Sequence, residues 1–144
     1  MKKFKRPLVG LVSFIGLILC SISLGFTYYA DKSLSDPSPQ TFESLEGEEL
    51  VGRYYEGSRD AGILLLEGFG SDQVALKAIS SEFAGLGFHV FTFDFSGHGR
   101  SSGSLGFDNA ATDTLARQVL NAKNLFMDLS GLEASQLLML GHSM

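Results

Sequence analysis

Four residues carry the sharpest chemical pattern in the 144-residue chain. Gly141-His142-Ser143-Met144 follows directly on the apolar run at 137–140. A serine hydroxyl becomes a nucleophile only when a base takes its proton and the backbone holds it clear of its surroundings. The spacing G-x-S at the end of a buried strand offers the second condition, because a tight, strained turn lifts the serine oxygen above the edge of a sheet. Gly141 is expected at the first position because a side chain there would collide within the turn. Ser143 is therefore the candidate nucleophile, and acyl transfer is the candidate chemistry. Alone, the pattern also describes many ordinary turns, so two further stretches decide.

The segment "LLLEGFGSD" places Gly68-Phe69-Gly70 at the end of an earlier apolar run. Backbone N–H groups there are suited to face the negative oxygen of a tetrahedral intermediate. The segment "FDFSGHGRSSGS" supplies Asp94, Gly97-His98-Gly99, Ser101 and Gly103 after the next run. None of the three histidines reads as the base. His142 projects away from its neighbour Ser143, His98 belongs to a glycine loop, and His89 opens a strand. Cys20 is the single cysteine, so no disulfide forms within the chain and no thiol nucleophile competes. The histidines are too far apart for a metal site, and no metal or cofactor is implied.

These residues need a scaffold. Ile63 to Leu66, "FHVFTFDF" and "QLLMLG" are short apolar runs without alternation, which suits strands buried on both faces of a parallel sheet. Ala75, Ile79, Phe83 and Leu86 recur at helical spacing after a Ser71–Asp72 cap, with Gly85 and Gly87 ending the helix. Leu115, Val119, Ala122, Phe126 and Leu129 mark a second helix, with Asp108 as cap and Gly131 as stop. Upstream, residues 41–56 predict two short strands around a turn at Gly47. The alternation predicts an α/β fold, a mostly parallel sheet with right-handed crossovers and helices on both faces. Ser143 then stands at the carboxyl edge of that sheet, where open α/β sheets place their ligands.

In this order the three motifs resemble the α/β-hydrolase superfamily, and most closely its monoacylglycerol lipase-like and serine aminopeptidase-like members with a D-x-x-G-H-G-x-S-x-G loop. The resemblance covers residues 41–144. It implies a serine hydrolase cleaving esters or other acyl bonds, with Ser143 as nucleophile. The backbone N–H groups of Phe69 and Met144 would form the oxyanion hole. Gly68, Asp94, Gly97, His98, Gly99 and Gly141 would be structural. Glu67 departs from the pattern, standing where many relatives have histidine; it is expected to face away from Ser143, held by backbone N–H groups or a cation. Ser96 stands where arginine is common. The family's acid and histidine base lie beyond the elbow, so the resemblance implies that this chain is the N-terminal part of a longer hydrolase.

The first 40 residues have another character. Residues 8–30 contain no charged side chain, and at about 1.5 Å per residue they reach roughly 34 Å as a helix, enough for a hydrocarbon core of about 30 Å. Lys2, Lys3, Lys5 and Arg6 precede the run, and Asp31 and Asp36 follow it. This charge bias predicts a single-pass anchor in the cell membrane, with residues 1–7 as a cytoplasmic flank and the hydrolase domain outside. A cleaved signal peptide would have a shorter apolar core and small residues at its cut; "YYA" provides neither. Residues 31–40, with Pro37 and Pro39, read as a linker.

Four of the 11 basic residues precede the run and all 16 acidic residues follow it. The remainder has 7 basic against 16 acidic residues, a net −9, which argues against nucleic-acid partners. A dinucleotide site is the weaker alternative: "GHGRSSG" follows a strand, but the next strand lacks the acid that would hold a ribose. A second alternative is a membrane-tethered binding domain that keeps the hydrolase scaffold without its activity.

Overall fold

A computed structural model describes residues 36–106 and 109–143, together with Ser21; the side chains of residues 109 and 110 are outside the description. The proposed anchor at 8–30 apart from Ser21, its flank at 1–7, most of the linker, Asp108 and Met144 lie outside the described residues. Among the described residues, no helix is long and apolar enough to cross a membrane.

Five strands form one sheet. In chain order they are β1 (Ser38–Glu43), β2 (Glu49–Tyr55), β3 (Gly62–Leu66), β4 (His89–Phe93) and β5 (Leu137–Gly141). Helix α1 (Lys77–Gly85) joins β3 to β4, and α2 (Asn109–Ser130) lies between β4 and β5. The spatial order is β1-β2-β4-β3-β5. β3 pairs in parallel with β4 on one side and β5 on the other. β1/β2 and β2/β4 are antiparallel, so the sheet is mixed where a mostly parallel one was expected. The cause is local. Gly47, at φ 83°, closes a turn too short for anything but an antiparallel hairpin. The expected linker also ends early, because Ser38, Pro39 and Gln40 already pair with β2. Pro39 is tolerated there because β1 is an edge strand.

The pleat divides the core between two faces. Leu50, Tyr54, Leu64, Phe91 and Phe93 pack with Ala122 and Phe126 of α2. Tyr55, Ile63, Leu65 and Val90 pack with Ala84 of α1. Each fully buried aromatic contributes about 1.5–3 kcal/mol over exposure. The α2 stripe matches its heptad-like spacing: Ala122 and Phe126 are buried, and Leu115, Val119 and Leu129 pack against them. Gly131, at φ 71°, donates its N–H to the Met127 carbonyl and ends the helix.

Helix α1 departs from expectation. Ile79 is 44% and Leu86 58% exposed, while Ser80, Ser81 and Ala84 are buried. Small side chains face the sheet here, and Ser80 can be buried because its hydroxyl bonds the Leu76 carbonyl at 2.8 Å. Asp72 does cap the approach, its Oδ1 accepting from Val74 N–H at 2.8 Å. β5 also differs: Leu138 and Met139 are more than half exposed, because β5 pairs only with β3 and forms an edge.

Candidate functional site

The loops after β3, β4 and β5 meet at one end of the sheet. Two residues beyond β5, Ser143 has φ 49° and is the sole non-glycine with positive φ among the described residues. That conformation costs a residue with a Cβ of order 1–3 kcal/mol, so its surroundings must impose it. The His142 N–H reaches the Leu66 carbonyl at 3.2 Å, and the Ser143 carbonyl accepts from Phe69 N–H at 3.2 Å. Gly68 lies against this turn. A Cβ on Gly68 would stand 2.5 Å from the His142 carbonyl oxygen and 2.8 Å from that of Ser143.

The crowded glycine is thus Gly68, on the neighbouring loop. The expected collision at Gly141 is absent: a Cβ there would meet nothing within 4 Å, because Gly141 ends an edge strand. Among the described residues, no side chain hydrogen-bonds the Ser143 hydroxyl. The structure brings Phe69 to the turn, with its N–H directed at the Ser143 carbonyl. Met144, the other expected oxyanion donor, lies outside the described residues.

The loop after β4 is built around Asp94, which is buried. Its carboxylate accepts from Gln73 N–H at 2.7 Å, Gln73 Nε2 at 2.8 Å and Arg100 N–H at 2.9 Å. Gly99, at φ 48°, must be glycine, since a Cβ would fall 2.3 Å from that carboxylate. Ser101 Oγ donates to the Asp94 carbonyl at 2.6 Å and accepts from Val51 N–H at 2.9 Å. Gly97, also at positive φ, packs against Ser104. Beneath the loop, Ser96 and Gln118, both fully buried, bond one another and Glu48. Gln73, Glu48 and Gln118 are partners that no local pattern announced.

The three histidines separate. His89 Nδ1 lies 2.6 Å from Tyr54 Oη, at the start of β4. His142 follows β5 and is exposed. His98 Nδ1 lies 3.0 Å from Glu67 Oε1, and the His98 ring stands edge-on to Phe69 with centroids 5.6 Å apart. Glu67 is buried, and its Oε1 also accepts from Phe95 N–H at 3.0 Å. Backbone N–H capture was expected, and a histidine takes the place of the expected cation. Glu67 nevertheless lines the same pocket as Ser143, about 620 Å³ in volume and walled by Leu66, Phe95, Leu115 and Val119. Burial pushes the Glu67 carboxyl up to about 8 against the Phe95 hydrogen bond, with Asp94 and Asp72 adding repulsion. Among the described residues, no cluster of three or more His, Cys, Asp or Glu could hold a metal ion.

The family described as "Serine aminopeptidase, S33", of the hydrolase type, matches residues 57–144. No curated protein matches the chain. Among solved structures, the α/β hydrolase GrgF from Penicillium sp. sh18 is 25% identical, with a TM-score of 0.63 over 74% of this chain and 37% of its own. An esterase of Pyrococcus furiosus is 17% identical, with a TM-score of 0.65 over 76% of this chain and 41% of its own. A thioesterase domain from the curacin biosynthetic pathway is 20% identical, with a TM-score of 0.58 over 76% and 38%. The chain therefore spans about two-fifths of the length of these structures.

Proposed function

The chain belongs to the serine aminopeptidase S33 family of the α/β-hydrolase superfamily, and from that premise we propose that Ser143 is the nucleophile of a membrane-anchored serine hydrolase. Its Oγ attacks the acyl carbon of an ester or related substrate and forms a new C–O bond. The bond to the leaving group breaks, the serine proton passes through the base to the leaving group, and water then releases the acyl group. The base is a histidine oriented by an acid, both outside the 144 residues, in keeping with the two-fifths coverage of the matched structures. Phe69 and Met144 N–H groups receive the oxyanion, which requires Phe69 to release the Ser143 carbonyl. Residues 8–30 hold the enzyme to the cell membrane with its domain on the outer side.

One observation carries this proposal: the positive φ of Ser143, fixed against Gly68 at the carboxyl end of β5. A second reading, a binding domain without hydrolysis, is favoured by the Phe69 N–H being directed at a backbone carbonyl. Hydrolysis of short-chain nitrophenyl esters by the complete protein separates the two. Ser143→Ala should lower kcat by about 10⁴-fold or more. Turnover unchanged by that substitution would remove Ser143 from the chemistry.

A further inference from the structure

Glu67 immediately precedes the Gly68–Phe69 loop, and His98 touches the same loop from the other side. The two side chains meet at 3.0 Å. Glu67 Oε1 is fixed by the Phe95 N–H at 3.0 Å, while Oε2 is buried and has no hydrogen-bond partner. The His98 ring bears on both Phe69 and Phe95, with centroids 5.6 Å and 6.5 Å away. Phe69 is thus held from its backbone by the elbow and from its ring by a histidine that a buried carboxyl orients.

We propose that Glu67 and His98 hold one dissociable proton between them at neutral pH, so that the Gly68–Phe69 loop carries no net charge beside the oxyanion and Glu67 acts as a positioning residue for the reaction. This rests on the hydrolase proposal above. In either arrangement, carboxylate with imidazolium or carboxylic acid with imidazole, the pair sums to zero. Loss of the proton to water at high pH leaves a buried carboxylate next to the oxyanion donors. A fixed negative charge there opposes the developing negative charge of the transition state.

The other charged groups around the pair reinforce this. Asp94, on the loop after β4, and Asp72, on the loop after β3, both repel a charge on Glu67. His142, after β5, lines the same pocket. From α2 the pocket receives Thr112, Leu115, Ala116 and Val119, none of them charged. The carboxyl is already displaced upward to about 8 by burial, which puts loss of the shared proton within an accessible range.

The test is the pH profile of kcat for ester hydrolysis by the complete protein, paired with nitrogen-15 spectra of its histidines. Wild type should lose about tenfold in kcat above pH 8. Glu67→Gln keeps an oxygen for Phe95 and His98 and stays neutral. It should remain within about tenfold of wild type at pH 7 and should lack that alkaline fall. Glu67→Asp should retain a fall, at a shifted midpoint. The His98 Nδ1 resonance should move in Glu67→Gln at pH 7, because the carboxyl 3.0 Å from it is replaced by an amide. An alkaline fall identical in wild type and Glu67→Gln, or a His98 Nδ1 resonance indifferent to the substitution, overturns the proposal. If no Ser143-dependent turnover exists at any pH, the hydrolase proposal fails separately, and the histidine spectra alone decide whether the pair shares a proton.

Discussion

Gly68→Ala is the most exacting perturbation of the elbow. The new Cβ would lie 2.5 Å and 2.8 Å from two backbone carbonyl oxygens, those of His142 and Ser143. Neither is the flexible end of a side chain, so the loops after β3 and β5 must part by roughly 0.5–1 Å to restore ordinary contact near 3.5 Å. Overpacking of this kind costs about 1–3 kcal/mol. Weakening the 3.2 Å bond from Phe69 N–H to the Ser143 carbonyl adds about 1 kcal/mol. A displacement approaching 1 Å between nucleophile and oxyanion donors costs about 10²-fold in rate. Chemical denaturation and kcat/KM on a nitrophenyl ester read the two effects in the complete protein. Gly85→Ala is the control: its Cβ meets nothing within 4 Å, it ends a helix at ordinary φ, and alanine should be neutral or stabilising by up to about 1 kcal/mol. Wild-type activity and stability in Gly68→Ala would show that the contact between these loops does not hold the serine.

Three further outcomes are expected. An external protease acting on spheroplasts should release the domain following residue 30, and a soluble secreted product starting near residue 31 would contradict the anchor. Residues 36–144 expressed alone should bind ANS and melt without a sharp transition, because β5 presents an unpaired edge with Leu138, Met139 and Leu140 exposed; a soluble monomer with a cooperative melt would refute this. The folded Glu67 carboxyl is raised from 4.5 to about 8, so its protonated form favours the native state. Because the proton is shared with His98, that contribution should be lost as pH rises toward 8, as the folded pair gives the proton up. Glu67→Gln should flatten this part of the stability profile, and an unaltered slope would place the titration elsewhere.

Much of the frame was legible because it depends on local periodicity. The unbroken apolar runs in β3 and β4 mark strands covered on both faces, and Ile63, Leu64, Val90 and Phe91 are buried there. The spacing of Leu115, Val119, Ala122 and Phe126 marks the buried side of α2. Helix α1 misleads in part: Phe83 packs on the core as its spacing predicts, but Ile79 and Leu86 face outward and Ser80, Ser81 and Ala84 are buried instead. The Asp94 cluster was legible only as a glycine-rich motif. Its partner Gln73 lies 21 residues away, and the Glu48–Gln118 pair is separated by 70, distances that only the strand order closes. The same order explains why the crowded glycine is Gly68 and not Gly141. β3 and β5 are neighbours, so the loop of one lies against the turn of the other, a contact no sequence spacing encodes.

The central claim is that Ser143 is an activated nucleophile. A fluorophosphonate probe, with tryptic mass spectrometry of the complete protein, measures this directly. The account predicts a single covalent adduct on Ser143, lost in Ser143→Ala and in heat-denatured protein. An intact, folded protein that leaves Ser143 unlabelled, or an adduct on another serine that persists in Ser143→Ala, would contradict it.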